Sequence, residues 1–391
     1  MLENPYTPGQ IPRVLAGRAV EKDQIRGHLS RVSAFGELGG PLLVFHAARG
    51  VGKTSLLREG QRDAEEHGFV TTWVSCARRK RFLPELADRV AHALETADVV
   101  PASDRNRWRT RLTRLGVQAG PPGLKVSAEV APVVADEDVE DAAPIAALED
   151  LLHDAATLVR ERGGAGLAVF LDELHAPDRD DTAIFLNALQ NLDGQRDRNP
   201  LAVFGAGLPS TPEELTRAAT FGERSTFVAL GLLDERAAEQ ALVEPAAALG
   251  VAWEPAAVAA VERQARGYPY FLQLIAHAAF AAAAPVEGAT ITVAHVEAAG
   301  PAAHDQLQSM YRARWNAASR LEQELMAAMA GVGTDAVSRS DIAAAMGRDS
   351  QALSVPRDRL MDKGVIESAG RGLLRFTLPG FGDYLRDRNA G

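Results

Sequence analysis

The stretch VFHAARGVGKTSLL, residues 44–57, constrains this chain more than any other. Pro41, Leu42, Leu43 and Val44 lead into Phe45 and read as a buried strand, while Thr54, Ser55, Leu56 and Leu57 open a helix. A strand, a glycine-rich turn and a helix N-terminus form the setting in which G-x-x-x-x-G-K-[ST] holds phosphate. Gly50 and Gly52 let the backbone curl so that its N–H groups point inward as an anion nest. The helix start adds unsatisfied donors and the positive end of its dipole. Lys53, one of only five lysines beside thirty-seven arginines, brings a compact charge to the outer phosphates. Thr54 offers Mg2+ a hydroxyl, and the cradle as a whole runs Ala48, Arg49, Gly50, Val51, Gly52, Lys53, Thr54 and Ser55. One position departs from the pattern. Its first glycine is Ala47, which tolerates positive φ poorly, so an altered or strained start to the loop is expected.

The rest of the chain bounds what can be built around that loop. With 391 residues there is room for two or three domains, and a hydrophobic content of 46% supports real cores. No apolar run reaches the roughly 18 residues of a membrane span, and the first residues lack an apolar signal core. A cytoplasmic protein without membrane contact is expected. Cys76 is the only cysteine, so neither an internal disulfide nor a cysteine zinc site is available, and it reads as a small buried residue. The nine histidines show no metal-ligand spacing, and His46 and His175, near strand ends by the proposed site, read as residues that pack or support the site rather than as catalysts. A net charge of −10 excludes a surface coated with basic residues, so any nucleic-acid contact must be local.

Apolar runs at 42–46, 69–75, 167–171, 201–209 and 226–231 alternate with helical patterns at 19–32, 54–66, 83–97, 146–162 and 181–192. Continuous apolar strands separated by helices predict an α/β fold, a five-stranded parallel sheet covered on both faces. An insertion at about 100–145 interrupts it. It holds an arginine cluster (Arg105, Arg107, Arg109, Arg111, Arg114) around Trp108, an alternating stretch that reads as a hairpin, and the acidic run ADEDVED. Charge blocks of this kind read either as a solvated face or as a contact surface. After residue 232 the strands stop and alanine-rich helices follow to about 302, with Gly300-Pro301 marking a break or a kink. From 303 the pattern is helix, helix, turn at Gly347, helix, then two short strands around Gly370-Arg371-Gly372, the order of a winged helix. Three domains are expected: 1–231, 232–302 and 303–391.

In the segment VFLDE, Asp172 and Glu173 end an apolar strand. Parallel strands bring that end to the same sheet edge as the loop after Phe45. In nucleotide hydrolysis such a pair serves as metal-holding aspartate and water-polarising glutamate.

Taken together, LAGR, RGVGKTSLL, VFLDE, GAGLP and GYPYFLQ resemble the AAA+ ATPases of the initiator and origin-recognition-like group, close to archaeal-type and signal-transduction P-loop ATPases. The resemblance runs through most of the chain into the winged end. It implies an ATPase that binds ATP or ADP with Mg2+. It implies that Pro12 to Arg18 lie over the adenine, although Arg18 also reads as a plain helix-start residue. Arg224, in GERSTF, is implied as an arginine finger acting on a neighbouring subunit, with a surface ion pair as the alternative. Two departures stand out. Gly205-Ala206-Gly207 replaces the polar water-sensing side chain, and ARGYPYF lacks the arginine expected after its glycine, with Tyr270 near that point and Arg266 one turn earlier as a substitute. Binding survives both changes, while fast hydrolysis does not, which suits a slow switch. Arg357, Arg359, Lys363 and Arg371 would present the winged helix to duplex DNA, yet residues 335–391 hold nine basic and eight acidic residues. Two readings stay open: nucleotide state coupled to DNA binding or assembly, perhaps as a homo-oligomer, or a regulatory switch whose winged helix docks a protein partner.

Overall fold

The computed structural model describes residues 2–100, 142–333 and 335–390. The expectations at 101–141, arginine cluster, hairpin and acidic run alike, lie outside these. By its internal contacts the chain divides into two units, one of residues 19–46 and 56–229, the other of residues 1–18, 47–55 and 230–391.

In the first unit, strands β1 (Leu43–His46), β2 (Phe69–Ser75), β3 (Gly166–Asp172), β4 (Leu201–Gly207) and β5 (Thr226–Ala229) form one sheet in the order β2-β3-β4-β1-β5. Every pairing is parallel. Every residue of β3 and β4 is buried, as continuous apolar strands require when both faces are covered. The period of two then separates the faces. Trp73, Phe170 and Phe204 stand at one register across three strands. Phe170 stacks on Phe204 with centroids 5.1 Å apart, and His28 of α1 (Ala19–Phe35) closes the row at 5.8 Å. The opposite side packs Leu167, Val169, Leu171, Leu201, Val203 and Val44 into one core with α3 (Leu83–Thr96), α4 (Ala142–Glu161) and α5 (Arg179–Gly194). Helix α2 (Lys53–Glu66) follows β1, and α6 (Thr211–Ala218) follows β4.

Helices carry most of the second unit. They are α7 (Glu235–Ala247), α8 (Pro255–Ala265), α9 (Pro269–Ala283) and α10 (Val293–Asn316). Strands do not stop at 232 as expected, because β6 (Ala252–Trp253) and β7 (Thr290–Ile291) pair in parallel. Two residues each are too few to show a period in sequence. Nor does the chain break at Gly300-Pro301, since both residues lie inside α10. Near its start the chain is anchored by Tyr6, which is 1% exposed. Its hydroxyl donates to the Leu242 carbonyl and accepts from Trp253 Nε1 at 2.8 Å.

Beyond α10 come α11 (Arg320–Val332), α12 (Arg339–Ala345) and α13 (Ser354–Asp362). A three-stranded antiparallel sheet follows, β8 (Val337–Ser338), β10 (Leu373–Phe376) and β9 (Ile366–Gly370) in that order, and then α14 (Phe381–Ala390). The two expected strands are present, and β8 adds a third. Gly347 and Gly372 take φ of +61° and +76° at the turns assigned to them.

This C-terminal part turns on one ion pair. Ser319 and Glu322 form a capping box at the start of α11, with Ser319 N–H donating to Glu322 Oε2 at 2.6 Å. Lys363 Nζ donates to the same oxygen at 2.6 Å and to the Ala317 carbonyl at 2.9 Å. Burial acts to raise the Glu322 carboxyl, but the Lys363 and Ser319 hydrogen bonds outweigh it and hold the group below its ordinary value. A depressed carboxylate lends stability above its unfolded value and loses it as pH falls through the folded one. The urea midpoint is therefore expected to drop steeply below about pH 4.5. Glu322→Gln should flatten that limb and cost about 2 kcal/mol at pH 7. An unchanged limb in the variant would show that the pair does not govern acid stability.

Candidate nucleotide site

The loop between β1 and α2 has the backbone its glycines allow. Gly50 and Gly52 take φ of +83° and +100°, conformations that disfavour any side chain. Ala47 is not among the described residues with positive φ, so the strain expected at the first position is absent. An alanine costs nothing there because its backbone is ordinary. Lys53 is 5% exposed and its ammonium donates to the Ala47 and Ala48 carbonyls, both at 2.9 Å. The charge is thus folded back across the loop that its own helix begins. Thr54 is exposed and Ser55 half-buried, both in the first turn of α2.

Two side chains and one backbone amide of the second unit brace this loop from outside. Arg18, 5% exposed, donates to the Val51 carbonyl at 3.1 Å and to the Gly231 carbonyl at 2.7 Å. It therefore fastens the loop to the chain leading into α7, a role that neither sequence reading of Arg18 anticipated. Tyr268, 1% exposed at the N-cap of α9, donates its hydroxyl to the Arg49 carbonyl. Tyr270 N–H reaches the Gly50 carbonyl at 3.3 Å. A Cβ at Gly50 would come within 3.0 Å of the Tyr268 ring, so Gly50 also serves the packing of the GYPYF turn. Arg266 is exposed in a left-handed conformation as the C-cap of α8, and its charge acts on Tyr311.

The acidic pair belongs to the first unit. Asp172 is 5% exposed at the end of β3, and its Oδ1 accepts from Glu173 N–H at 2.9 Å. Glu173 takes φ of +56°, a strained conformation for a residue with a side chain, of the kind that clusters at functional sites. The turn it makes is laced to the end of β4. Leu174 N–H donates to the Ala206 carbonyl at 2.7 Å, and Leu208 N–H donates to His175 Nδ1 at 3.3 Å. That hydrogen bond leaves the ring's proton on Nε2, which faces Glu173 Oε2 at 3.3 Å. His175 thus supports the glutamate, one of the two roles its sequence position suggests.

Residues 205–207 show why no polar side chain stands there. A Cβ at Gly205 would lie 2.7 Å from Leu174 Cδ2. One at Gly207 would meet Thr211 Oγ1 at 2.1 Å and its Cβ at 3.1 Å. Thr211 is fully buried, β-branched and hydrogen-bonded to the Leu208 carbonyl at 2.6 Å, so it has no room to yield. Arg224 is exposed and lies 5.8 Å over the Phe221 ring. Of the C-terminal candidates, Arg357 pairs with Asp358 and Lys363 with Glu322, while Arg359 and Arg371 are exposed and form no ion pair among the described residues.

Residues 14–204 match the AAA ATPase domain family. The match runs from the segment before α1 through the loop and the acidic pair to within β4. Residues 308–385 match a family described as a domain of unknown function. Among solved structures, the chain is similar to a Walker-type ATPase of Pyrococcus abyssi at 14% identity and TM-score 0.55, covering 95% of this chain and 96% of that one. At this identity the likeness concerns the fold alone, an α/β architecture around a parallel sheet. The Aeropyrum pernix ORC1 protein in complex with DNA aligns at 15% identity and TM-score 0.46 over 98% and 95% of the two chains. The Thermotoga maritima RuvB Holliday junction branch migration motor aligns at 16% and 0.47 over 93% and 95%. No curated protein sequence matches the chain. Among the described residues, no helix is long and apolar enough to cross a membrane.

Two predictions test the surroundings of the acidic pair. Gly207→Asn, which would restore a polar side chain at the end of β4, should instead cost about 2 kcal/mol of stability through overpacking, read from urea unfolding. A variant as stable as the parent would show that Thr211 does yield. Cys76 is 5% exposed beside Asp172. Burial first, then the carboxylate charge, pushes its thiol up to about 12. A disulfide reagent should therefore leave the native chain untouched from pH 7 to 9 and titrate one thiol in urea. Rapid native labelling would contradict that burial.

Proposed function

We propose that this chain binds Mg-ATP on the loop at 47–55, hydrolyses it slowly, and uses the nucleotide to set the state of its C-terminal helical part. The observation that carries the reading is the loop itself. Two glycines in left-handed conformations precede a buried lysine whose ammonium bridges the loop carbonyls, at the start of a helix, within a segment matching the AAA ATPase domain. In this reading the loop N–H groups and Lys53 hold the phosphates, and Arg18 keeps the loop in shape from behind.

The donor set suits magnesium. A carboxylate of Asp172 and the exposed hydroxyl of Thr54 are hard oxygen ligands of the type this ion takes. When bound, the ion neutralises phosphate charge. Glu173 polarises the attacking water, and His175 Nε2–H orients its carboxylate. Slow turnover follows from Gly205-Ala206-Gly207, which leave the end of β4 without a side chain to orient that water. Arg224 remains the candidate for action on a neighbouring copy, and Arg266 a weaker candidate for the phosphate tail.

The C-terminal part reads as a winged helix, with α12 and α13 as its two helices and the β9–β10 turn as its wing. Pairing of Arg357 with Asp358, Lys363 with Glu322 and Arg375 with Glu367 favours docking of a protein partner over duplex DNA. Paired cations release few counterions and so contribute little to binding nucleic acid.

Turnover of wild type, Lys53→Ala and Glu173→Gln, each with and without duplex DNA, tests the assignment. Lys53→Ala should lose nucleotide affinity. Glu173→Gln should bind Mg-ATP normally but turn over about 100-fold more slowly. DNA should change none of the rates. Equal turnover in all three proteins would remove the catalytic assignment, and a strong, salt-sensitive stimulation by DNA would return the winged helix to the duplex.

A further inference from the structure

Three consecutive cations, Arg78, Arg79 and Lys80, stand exposed in the loop between β2 and α3, and neither the nucleotide site nor the winged helix uses them. None of them forms an ion pair among the described residues, while the next cation in the run, Arg81, is taken by Asp181 at 2.9 Å. The loop is stapled to the segment that follows Asp172. Cys76 N–H donates to the Asp172 carbonyl at 2.9 Å, Arg79 N–H to the Ala176 carbonyl at 2.7 Å, and Asp178 N–H to the Lys80 carbonyl at 3.1 Å. Asp181, 2% exposed in the first turn of α5, accepts Arg81 Nε–H on one oxygen. Its other oxygen accepts the Phe82 and Leu83 N–H groups at 2.7 and 3.1 Å. Arg79 takes φ of +54°, as Glu173 takes +56°, so each of the two stapled segments holds a residue with a side chain in a left-handed conformation.

Like charges on adjacent residues repel one another, and a slack loop would spread them apart. This loop is not slack, because its backbone is bonded along its length and strained at Arg79. Cations held together in this way are preorganised for an anion, which meets a rigid surface and loses little to ordering. Carboxylates of the facing segment do not fill the role. Asp181 is occupied, and Asp178 caps α5, its side chain accepting from Asp180 N–H. The size and setting of the patch decide which anion fits. A nucleic acid draws its affinity from neutralising many phosphates, and three cations on a chain of net charge −10 leave most of a strand repelled. A short run of aspartate and glutamate in another protein asks for three cations and no more.

We propose that residues 77–80 are the docking site of an acidic segment of a protein partner, and that docking there is felt at Glu173. The route is short. Arg79 N–H holds the Ala176 carbonyl, and Ala176 N–H holds that of Glu173 at 2.8 Å. An acidic segment that draws the cations together tightens the loop, and the turn bearing Glu173 tightens with it. The docking stands on the loop alone. Its effect on turnover rests on the proposed role of Glu173 in ATP hydrolysis, and the test separates the two.

A fluorescent peptide of about ten residues, alternating glutamate and aspartate, is titrated by anisotropy against the full-length chain at low salt. The proteins compared are wild type, Arg78→Gln/Lys80→Gln and Arg196→Gln/Arg198→Gln, with the thermal midpoint of each as a folding control. The last of these removes the same charge from exposed positions between α5 and β4. Wild type should bind the peptide, and added salt should weaken the complex. Arg78→Gln/Lys80→Gln should bind about tenfold more weakly, and Arg196→Gln/Arg198→Gln within about twofold of wild type. Amide exchange at 173–178 should slow in wild type on saturation with the peptide, and not in Arg78→Gln/Lys80→Gln. ATP turnover of wild type should change about fivefold with saturating peptide, and that of Arg78→Gln/Lys80→Gln should not change. Absence of binding, equal binding by all three proteins, or tighter binding of a single-stranded oligonucleotide of the same charge overturns the docking site. Binding that alters neither exchange nor turnover overturns the coupling to Glu173. A wild type that binds the peptide and slows its exchange but hydrolyses no ATP leaves the docking site standing and removes the catalytic role of Glu173.

Discussion

A phenol hydroxyl resting on a loop carbonyl decides what the rest of this chain can do. Tyr268 donates to Arg49, and Tyr270 N–H to Gly50, so the segment expected to hold phosphate is hydrogen-bonded to the N-terminus of α9. Residues 47–55 accordingly share their compact unit with 230–391 rather than with the strand that precedes them. A loop braced by its own β-sheet would hold a nucleotide and report it to nothing else. Bracing it with Tyr268, Tyr270 and Arg18 makes the loop and the C-terminal helices mechanically one object. Under the proposed function, nucleotide chemistry then becomes movement without a long relay.

The same logic explains what the chain lacks. In place of a polar residue at the end of β4 it has Gly205 and Gly207, each sited where a Cβ would strike a packed neighbour. The turn after β3 uses the space instead, because Leu174 and His175 both bond to the end of β4. His175 comes to rest against Glu173 in consequence. One polar group near the carboxylate has been exchanged for another, and the new one holds the glutamate instead of facing solvent. The outcome is a glutamate in a strained backbone conformation with an imidazole to restrain it.

Much of this was legible in the sequence, for physical reasons that also mark its limits. The five strands stood out because a parallel strand buried on both faces must be continuously apolar, as in GLAVFLD and LAVFGAG. Gly50, Gly52 and Lys53 stood out because few other residues tolerate that backbone or supply that charge. The strands β6 and β7 escaped notice, being two residues long and paired across thirty-six intervening positions. Pro301 suggested a break or a kink because an interior proline removes a helix hydrogen bond, and of the two the break is absent, since α10 runs through it. The strain assigned to Ala47 did not materialise, since φ at that position is not written in residue type. The ties of Arg18 to Val51 and of Lys363 to Glu322 span 33 and 41 positions, beyond the reach of any local pattern.

Charge pairing in the C-terminal part bears on what it recognises. Counted along the sequence, its nine basic residues suggest a nucleic-acid surface nearly cancelled by eight acidic ones. In three dimensions the cancellation is local and selective. Lys363, Arg357 and Arg375 each meet a carboxylate, so the cations that a helix-turn-helix and its wing would offer a duplex are largely spoken for. Of the cations on α13 and the β9–β10 hairpin, Arg359 and Arg371 stand exposed without such a partner among the described residues. Two unpaired charges supply little of the counterion release on which duplex affinity depends. The buried end of the Lys363–Glu322 pair, by contrast, fixes α13 against α11, and the long Arg314 hydrogen bond, from Nη1 to the same residue's carbonyl at 3.4 Å, is weak enough to break. A firm pivot beside a weak latch is an arrangement that lets an element shift without unfolding.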